Sequence, residues 1–205
     1  MKGLGSGLLT CCCVLVLSGC SIAFRPSLGL RGANEQTDFL IDAVQLNPDN
    51  AHAWFFLGKE YMADAEYVEA RRCFGRALKV QSDFAEAEFG IALTFLEEEK
   101  WKEAEKRFAE ITAKRPESSA AWDGMAAARL GQGDLDGAEK AAQRALELQP
   151  DSRRAETILG RVAYVRGDYV EAAKRWRLGR LEEQDKATVL PIAQDLERYL
   201  EQYGE

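Results

Sequence analysis

An alanine returns every 34 residues in this chain, as Ala70, Ala104, Ala138 and Ala172. A fixed period of this length, with no insertion or deletion between copies, describes a stack of equal units. Each unit can bury its apolar face only against its neighbours. Function in such a stack is to be sought on a face that the copies share, because no single copy encloses a site.

The neighbours of those alanines recur with them. With a copy starting at Ala51, its fourth, seventh, eighth and eleventh residues are Trp54, Leu57, Gly58 and Tyr61, followed by Ala70, Phe74 and Ala77. Residues 85–118 keep Ala104, Phe108 and Pro116, with Ile91 and Phe95 as substitutes of similar bulk. Residues 119–152 keep Trp122, Ala138, Ala145 and Pro150. Residues 153–186 keep Leu159, Gly160 and Ala172, but carry Ala163 for the aromatic, Gly179 for alanine and Gln184 for proline. The pattern resembles the tetratricopeptide repeat, W-x2-L-G-x2-Y…A-x3-F…A…P. That resemblance implies an all-α, right-handed superhelical solenoid of helix-turn-helix units.

The residue types make physical sense in such a hairpin. Small residues, Gly58 with Ala70 or Ala92 with Ala104, let helix A and helix B of one copy approach, and Trp54, Leu57 and Phe74 fill the space around the crossing. Pro116 and Pro150 stop helix B, since proline lacks the N–H and restricts the residue before it. Ser152, just after Pro150, suits the start of the next helix as a cap. Apolar residues at three- and four-residue spacing predict helices A over 51–63, 85–97, 119–131 and 153–165. They predict helices B over 67–80, 101–114, 135–148 and 169–182. Residues 35–50 read as an orphan helix B that caps the stack, and 187–205 as a C-terminal capping helix with Ile192, Leu196, Tyr199, Leu200 and Tyr203 on its apolar side. A solenoid needs such caps because an open end exposes apolar surface.

The first 19 residues have one basic residue, Lys2, then an apolar run from Leu8 to Leu17, which is too short to span a bilayer and reads as a secretory signal. Leu17-Ser18-Gly19-Cys20 resembles the bacterial lipobox. That resemblance implies cleavage before Cys20, lipidation of its sulfur, and attachment to the outer membrane facing the periplasm, with Ser21 favouring that destination. Two or three acyl chains anchor stably where one holds only marginally, at about 0.8 kcal/mol per buried CH2. Residues 20–34 then form a tether that spans roughly 20 Å.

Charge and cysteine usage narrow the function classes. The formal charge of −7 disfavours nucleic acid as a partner. Of five cysteines, Cys11, Cys12 and Cys13 lie in the signal and Cys20 is the lipid site, so Cys73 remains and no disulfide framework is expected. Its counterparts Arg107, Ala141 and Arg175 suggest a position that faces solvent at least in part, and both a buried and an accessible thiol stay open. With His52 the only histidine, Cys73 has no base to activate it. No phosphate-cradling loop and no Cys/His cluster of metal spacing occurs. Glu97-Glu98-Glu99 reads as a solvated turn. The expectation is a non-enzyme without cofactor, metal or small-molecule substrate.

By resemblance to the repeat family, positions two, five, nine, twelve and thirteen of each helix A line a concave groove. Its candidate binding residues here are Phe55, Lys59, Phe89, Leu93, Asp123, Arg154 and Arg161. Positions five and nine turn apolar only in the N-terminal half, as Phe55, Phe89 and Leu93, beside Lys59. A protein or peptide segment with apolar anchors and an acidic end fits that trough. The carboxylate clamp of chaperone-binding repeats uses lysine and asparagine where Phe55 and Lys59 stand, so chaperone tails are disfavoured. In organisation the chain resembles the pilotin lipoproteins of type IV pilus and secretin assembly; an adaptor for cell-wall enzymes or outer-membrane protein assembly is the alternative.

Overall fold

The computed structural model describes residues 35–179 together with Arg198. The expected signal, Cys20 and the tether lie outside the described residues, as does the expected C-terminal capping helix apart from Arg198. Among the described residues every regular element is an α-helix: α1 (Glu35–Leu46), α2 (Ala51–Ala63), α3 (Tyr67–Val80), α4 (Ala85–Glu97), α5 (Trp101–Lys114), α6 (Ser119–Gln132), α7 (Leu135–Leu148), α8 (Arg153–Val165) and α9 (Tyr169–Gly179). Bounds follow the 34-residue period, with α6 one residue longer than the spacing predicts and residues 180–182, the expected end of α9, outside the described residues.

Local chemistry sets the helix ends. Asn50, Ser118 and Ser152 accept N–H bonds from Ala53, Ala121 and Ala155, capping α2, α6 and α8, and Asp134 caps α7 through Gly137 N. Each supplies a partner for one of the orphan donors of a first turn. The turn inside each hairpin places one residue in the left-handed region at the same repeat position: Ala65 (φ 59°), Glu99 (φ 56°), Gly133 (φ 80°) and Gly167 (φ 85°). Glycine takes that conformation without strain, whereas Ala65 and Glu99 hold it against their Cβ.

Packing runs along one dimension. Consecutive helices pack antiparallel, and α2, α4, α6 and α8 also touch in sequence, while helices B of neighbouring units make no close backbone approach. A stack held together on its A side and splayed on its B side curves, with the A helices inside. The joints are built from rings pressed against small residues. Phe74 and Phe108 are fully buried, each contributing about 1.5–3 kcal/mol by burial. A Cβ on Gly58 would lie 2.7 Å from the Phe74 ring, and one on Gly90 2.9 Å from it, so the ring wedges between α2 and α4. Gly124 receives Phe108 and Gly160 receives Trp176 in the same tight manner. At the third joint the volumes are exchanged: Ala142 stands where Phe74 and Phe108 stand, and Ile158 where Gly90 and Gly124 do, both within the buried core.

The first turn of helix A is tied down in two alternating ways. Trp54 Nε1 donates to the Pro48 carbonyl at 2.8 Å and Trp122 Nε1 to that of Pro116 at 2.9 Å. In the even copies the same position holds Glu88 and Glu156. Glu88 pairs with Arg115 and with Lys114 (2.5 Å), and Glu156 with Arg175 (3.0 Å).

The structure decides one open reading and corrects one expectation. Cys73 is 1% exposed and packs in the first core cluster, whereas Arg107 at the same position of α5 is exposed. The acidic run is not wholly solvated either. Glu98 accepts from Arg71 and from Lys100 (3.0 Å), which holds its carboxyl below the usual carboxylate range against a smaller opposing effect of burial.

Two outcomes are expected in urea unfolding. Ala104→Leu overpacks a fully buried crossing and should cost about 1–3 kcal/mol. Lys102→Leu, on the exposed side of α5, should stay within about 0.5 kcal/mol. Glu105 is unsuitable as that control, since it is half-buried and accepts from Arg129 (2.7 Å) and Gln132 (2.7 Å). The turn pair should move in opposite directions: Glu99→Gly raises the midpoint by relieving roughly 1 kcal/mol of left-handed strain, and Gly133→Ala lowers it.

Candidate partner-binding groove

The concave face is built from the inward positions of the four A helices. In its N-terminal half these positions enclose an open cavity of about 400 Å³. Phe55 and Met62 form one wall, from α2; Phe89 and Leu93 form the other, from α4. Phe74, Gly90 and Ile111 make the floor, and Lys59, Glu86 and Ala120 stand at the rim. The volume is in the range of natural ligand pockets.

Aromatic packing holds the walls. The Phe55 ring lies 5.7 Å from Phe74, 5.2 Å from Phe84 and 5.6 Å from Phe56, and Phe89 meets Phe108 edge-on at 5.6 Å. Each ring therefore has one side in the core and another facing the cavity, both being half-buried. Such anchors lose little freedom on binding, which favours affinity. Arg115, at the edge, is neutralised by Glu88 and by Asp83 at 3.4 Å. Lys59 and Glu86 are exposed and make no ion pair among the described residues, leaving one cation and one anion for a ligand.

The described residues contain no group of three or more His, Cys, Asp or Glu placed to hold a metal, and no helix long and apolar enough to cross a membrane. Such a face can dock a chain segment but offers no nucleophile with a base beside it. The Tetratricopeptide repeat family matches residues 57–119 and 124–177, more than half of the sequence.

The chain belongs to the tetratricopeptide repeat family.

Solved structures agree on the fold. A MamA fragment from Desulfovibrio magneticus RS-1 superposes with a TM-score of 0.61 at 19% identity, covering 80% of this chain and 85% of that one. The APC/C hetero-tetramer Cut9–Hcn1 superposes at 0.71 and 20% identity, covering 82% of this chain and 34% of that one. One curated relative is the cytochrome c-type biogenesis protein CycH of Pseudomonas aeruginosa, 44% identical over 46 residues. That match spans 22% of this chain and 11% of the relative, so this chain covers about a tenth of its length.

The sequence-predicted site residues divide between two halves of this repeat array. Phe55, Lys59, Phe89 and Leu93 come together around the cavity. Arg154 and Arg161 are exposed on α8, well beyond its lining. Asp123 departs from the expectation of an open groove residue: it is 6% exposed, and Ser152 Oγ donates to its Oδ2 at 2.8 Å. Position five of that copy joins α6 to the start of α8, and Thr157, at the same position in the next copy, is buried too. Tyr164, at position twelve, stacks on Tyr169 (5.6 Å) and Trp176 (5.8 Å), so this position serves packing. Ala120 lines the cavity as its position two implies, whereas Gly90 and Ile111 lie outside the positions the sequence singles out. Gly90 was legible in principle, since it pairs with Phe74 as Gly124 does with Phe108.

Burial pushes the Cys73 thiol up to about 12, with the negative charge of Glu69 adding to it. In protein beginning at Ser21, where Cys73 is the only cysteine, a disulfide reagent at pH 8 should react roughly a thousandfold more slowly before than after urea unfolding. Rapid labelling of native protein would place the thiol at the surface.

Proposed function

We propose that the protein is a lipid-anchored adaptor of the bacterial envelope, tethered through Cys20 and holding a segment of another envelope protein in its concave groove. The observation that carries this reading is the apolar cavity between Phe55 and Phe89, with Lys59 exposed at its rim. Repeat packing alone does not require large apolar groups there, because the same positions hold Asp123 and Thr157 in the later copies. The ligand that fits is a peptide segment with large apolar side chains next to an acidic residue for Lys59. The lipobox-like Leu17-Ser18-Gly19-Cys20 supports the anchor and the periplasmic side of the outer membrane.

Two pathways are consistent with this adaptor. Pilus or secretin assembly rests on the resemblance to pilotin lipoproteins in organisation. A role beside cytochrome c-type biogenesis rests on the 46-residue stretch that is 44% identical to CycH. Photocrosslinking from position 93 in living cells separates them by the identity of the captured protein.

The adaptor reading predicts that Phe55→Ala with Phe89→Ala abolishes capture from position 93, since buried aromatic anchors cost about 2 kcal/mol or more each when truncated. Lys59→Glu should weaken capture by about tenfold while leaving stability unchanged. Far-UV circular dichroism and membrane fractionation check that the fold and anchor persist. Capture at wild-type level by the double variant would move the ligand off this face.

A further inference from the structure

α1 (Glu35–Leu46) is a helix B without its helix A. By the 34-residue period, Phe39, Leu40 and Ala43 correspond to Cys73, Phe74 and Ala77 of α3. In α3 those three side chains are buried, none more than 1% exposed, with Phe74 wedged between α2 and α4. In α1, Phe39 is 71% exposed, and Leu40 and Ala43 are only half-buried. Among the described residues α1 packs on α2 and on no other helix, and its buried residues are Thr37, Ile41 and Val44. Leu46, seven residues along the helix from Phe39, is 76% exposed. These are the two most exposed large apolar side chains among the described residues. In the sequence before α1, Cys20 and Phe24 stand where Trp54 and Gly58 stand in the first copy, so the repeat motif is not continued there.

Charge selects what covers this face. Glu35, Asp38 and Asp42 are exposed on the same helix, and α1 carries no basic residue. A second copy meeting α1 with α1 would set carboxylates against carboxylates, and an anionic lipid surface would be repelled in the same way. We infer that the open face of α1 receives, in trans, an amphipathic helix of net positive charge from a partner protein, completing a hairpin with α1 as α2 does with α3. The small residue that helix A presents at its crossing, Gly58 in α2, defines the shape required: a helix with a small residue between bulky apolar ones, and Lys or Arg on its flanks. This docking face is separate from the concave groove.

Two fluorescein-labelled 13-residue helical peptides test the inference against the full-length protein. Both keep Trp, Leu, Gly and Tyr at the positions of Trp54, Leu57, Gly58 and Tyr61; one carries lysines on its outward positions and the other glutamates. Fluorescence anisotropy should show the lysine peptide binding at least about tenfold tighter, with an advantage that shrinks as salt rises. Phe39→Ser with Leu46→Ser should abolish its binding without changing the circular dichroism spectrum. Asp38→Lys with Asp42→Lys should invert the preference, and Phe55→Ala with Phe89→Ala should leave binding unchanged. Equal affinity for the two peptides, or binding that survives Phe39→Ser with Leu46→Ser, overturns the inference. Loss in the groove variant alone also overturns it, placing the peptide in the groove. A concentration-dependent dimer that the Phe39→Ser and Leu46→Ser changes dissolve overturns it in favour of a second copy.

Discussion

The structure depends on a ring pressed between glycines. Phe74 is held by Gly58 on its own hairpin and by Gly90 on the next helix A, so one side chain closes both the hairpin and the joint to its neighbour. Phe108 presses in the same way on Gly124. A methyl group on either glycine would displace the ring, and close-packed interiors absorb such displacement poorly. Because each joint relies on its own complementary pair of volumes, the third can exchange them, alanine facing isoleucine, without changing the architecture.

Curvature and the groove follow from that contact. The wedge draws the A helices into one continuous inner layer while the B helices diverge. Position five of each helix A then points along the inner surface near the joint, and what stands there decides whether the surface is a pocket or a seam. At the first joint Phe55 and Phe89 stand on opposite sides, each leaning on a core ring, and a cavity remains between them. At the third joint Asp123 and Thr157 are buried, and Ser152 caps α8 while donating to Asp123.

Helix positions were legible because they rest on a strict period and on local signals, such as Pro150 before Ser152, that act within a few residues. The apolar half of the groove was legible for the same reason, since Phe55, Phe89 and Leu93 differ from their own counterparts. Partnerships between elements were not. Asp123 looked like an open groove residue because its partner Ser152 lies 29 residues away, and nothing near Glu105 in sequence announces Arg129, which approaches it from α6. Comparison between copies left Cys73 open, because Arg107 and Arg175 occupy the same repeat position and a long side chain reaches solvent from a site where a thiol cannot.

Sealing of the later joint also bears on where binding energy can arise. A ligand lying along α6 and α8 would meet Asp123 and Thr157 already buried, so position five would offer it little and it would lean on exposed groups such as Arg154. Exposed pairs of that kind are worth at most about 1 kcal/mol and are screened by salt, so they steer and orient more than they hold. Between α2 and α4 the apolar walls stay open and the rings are already fixed by the core, so insertion of a large side chain removes apolar surface from water at small entropic cost. On the proposed reading, affinity for a segment would therefore concentrate at the first joint, where the apolar walls stand open.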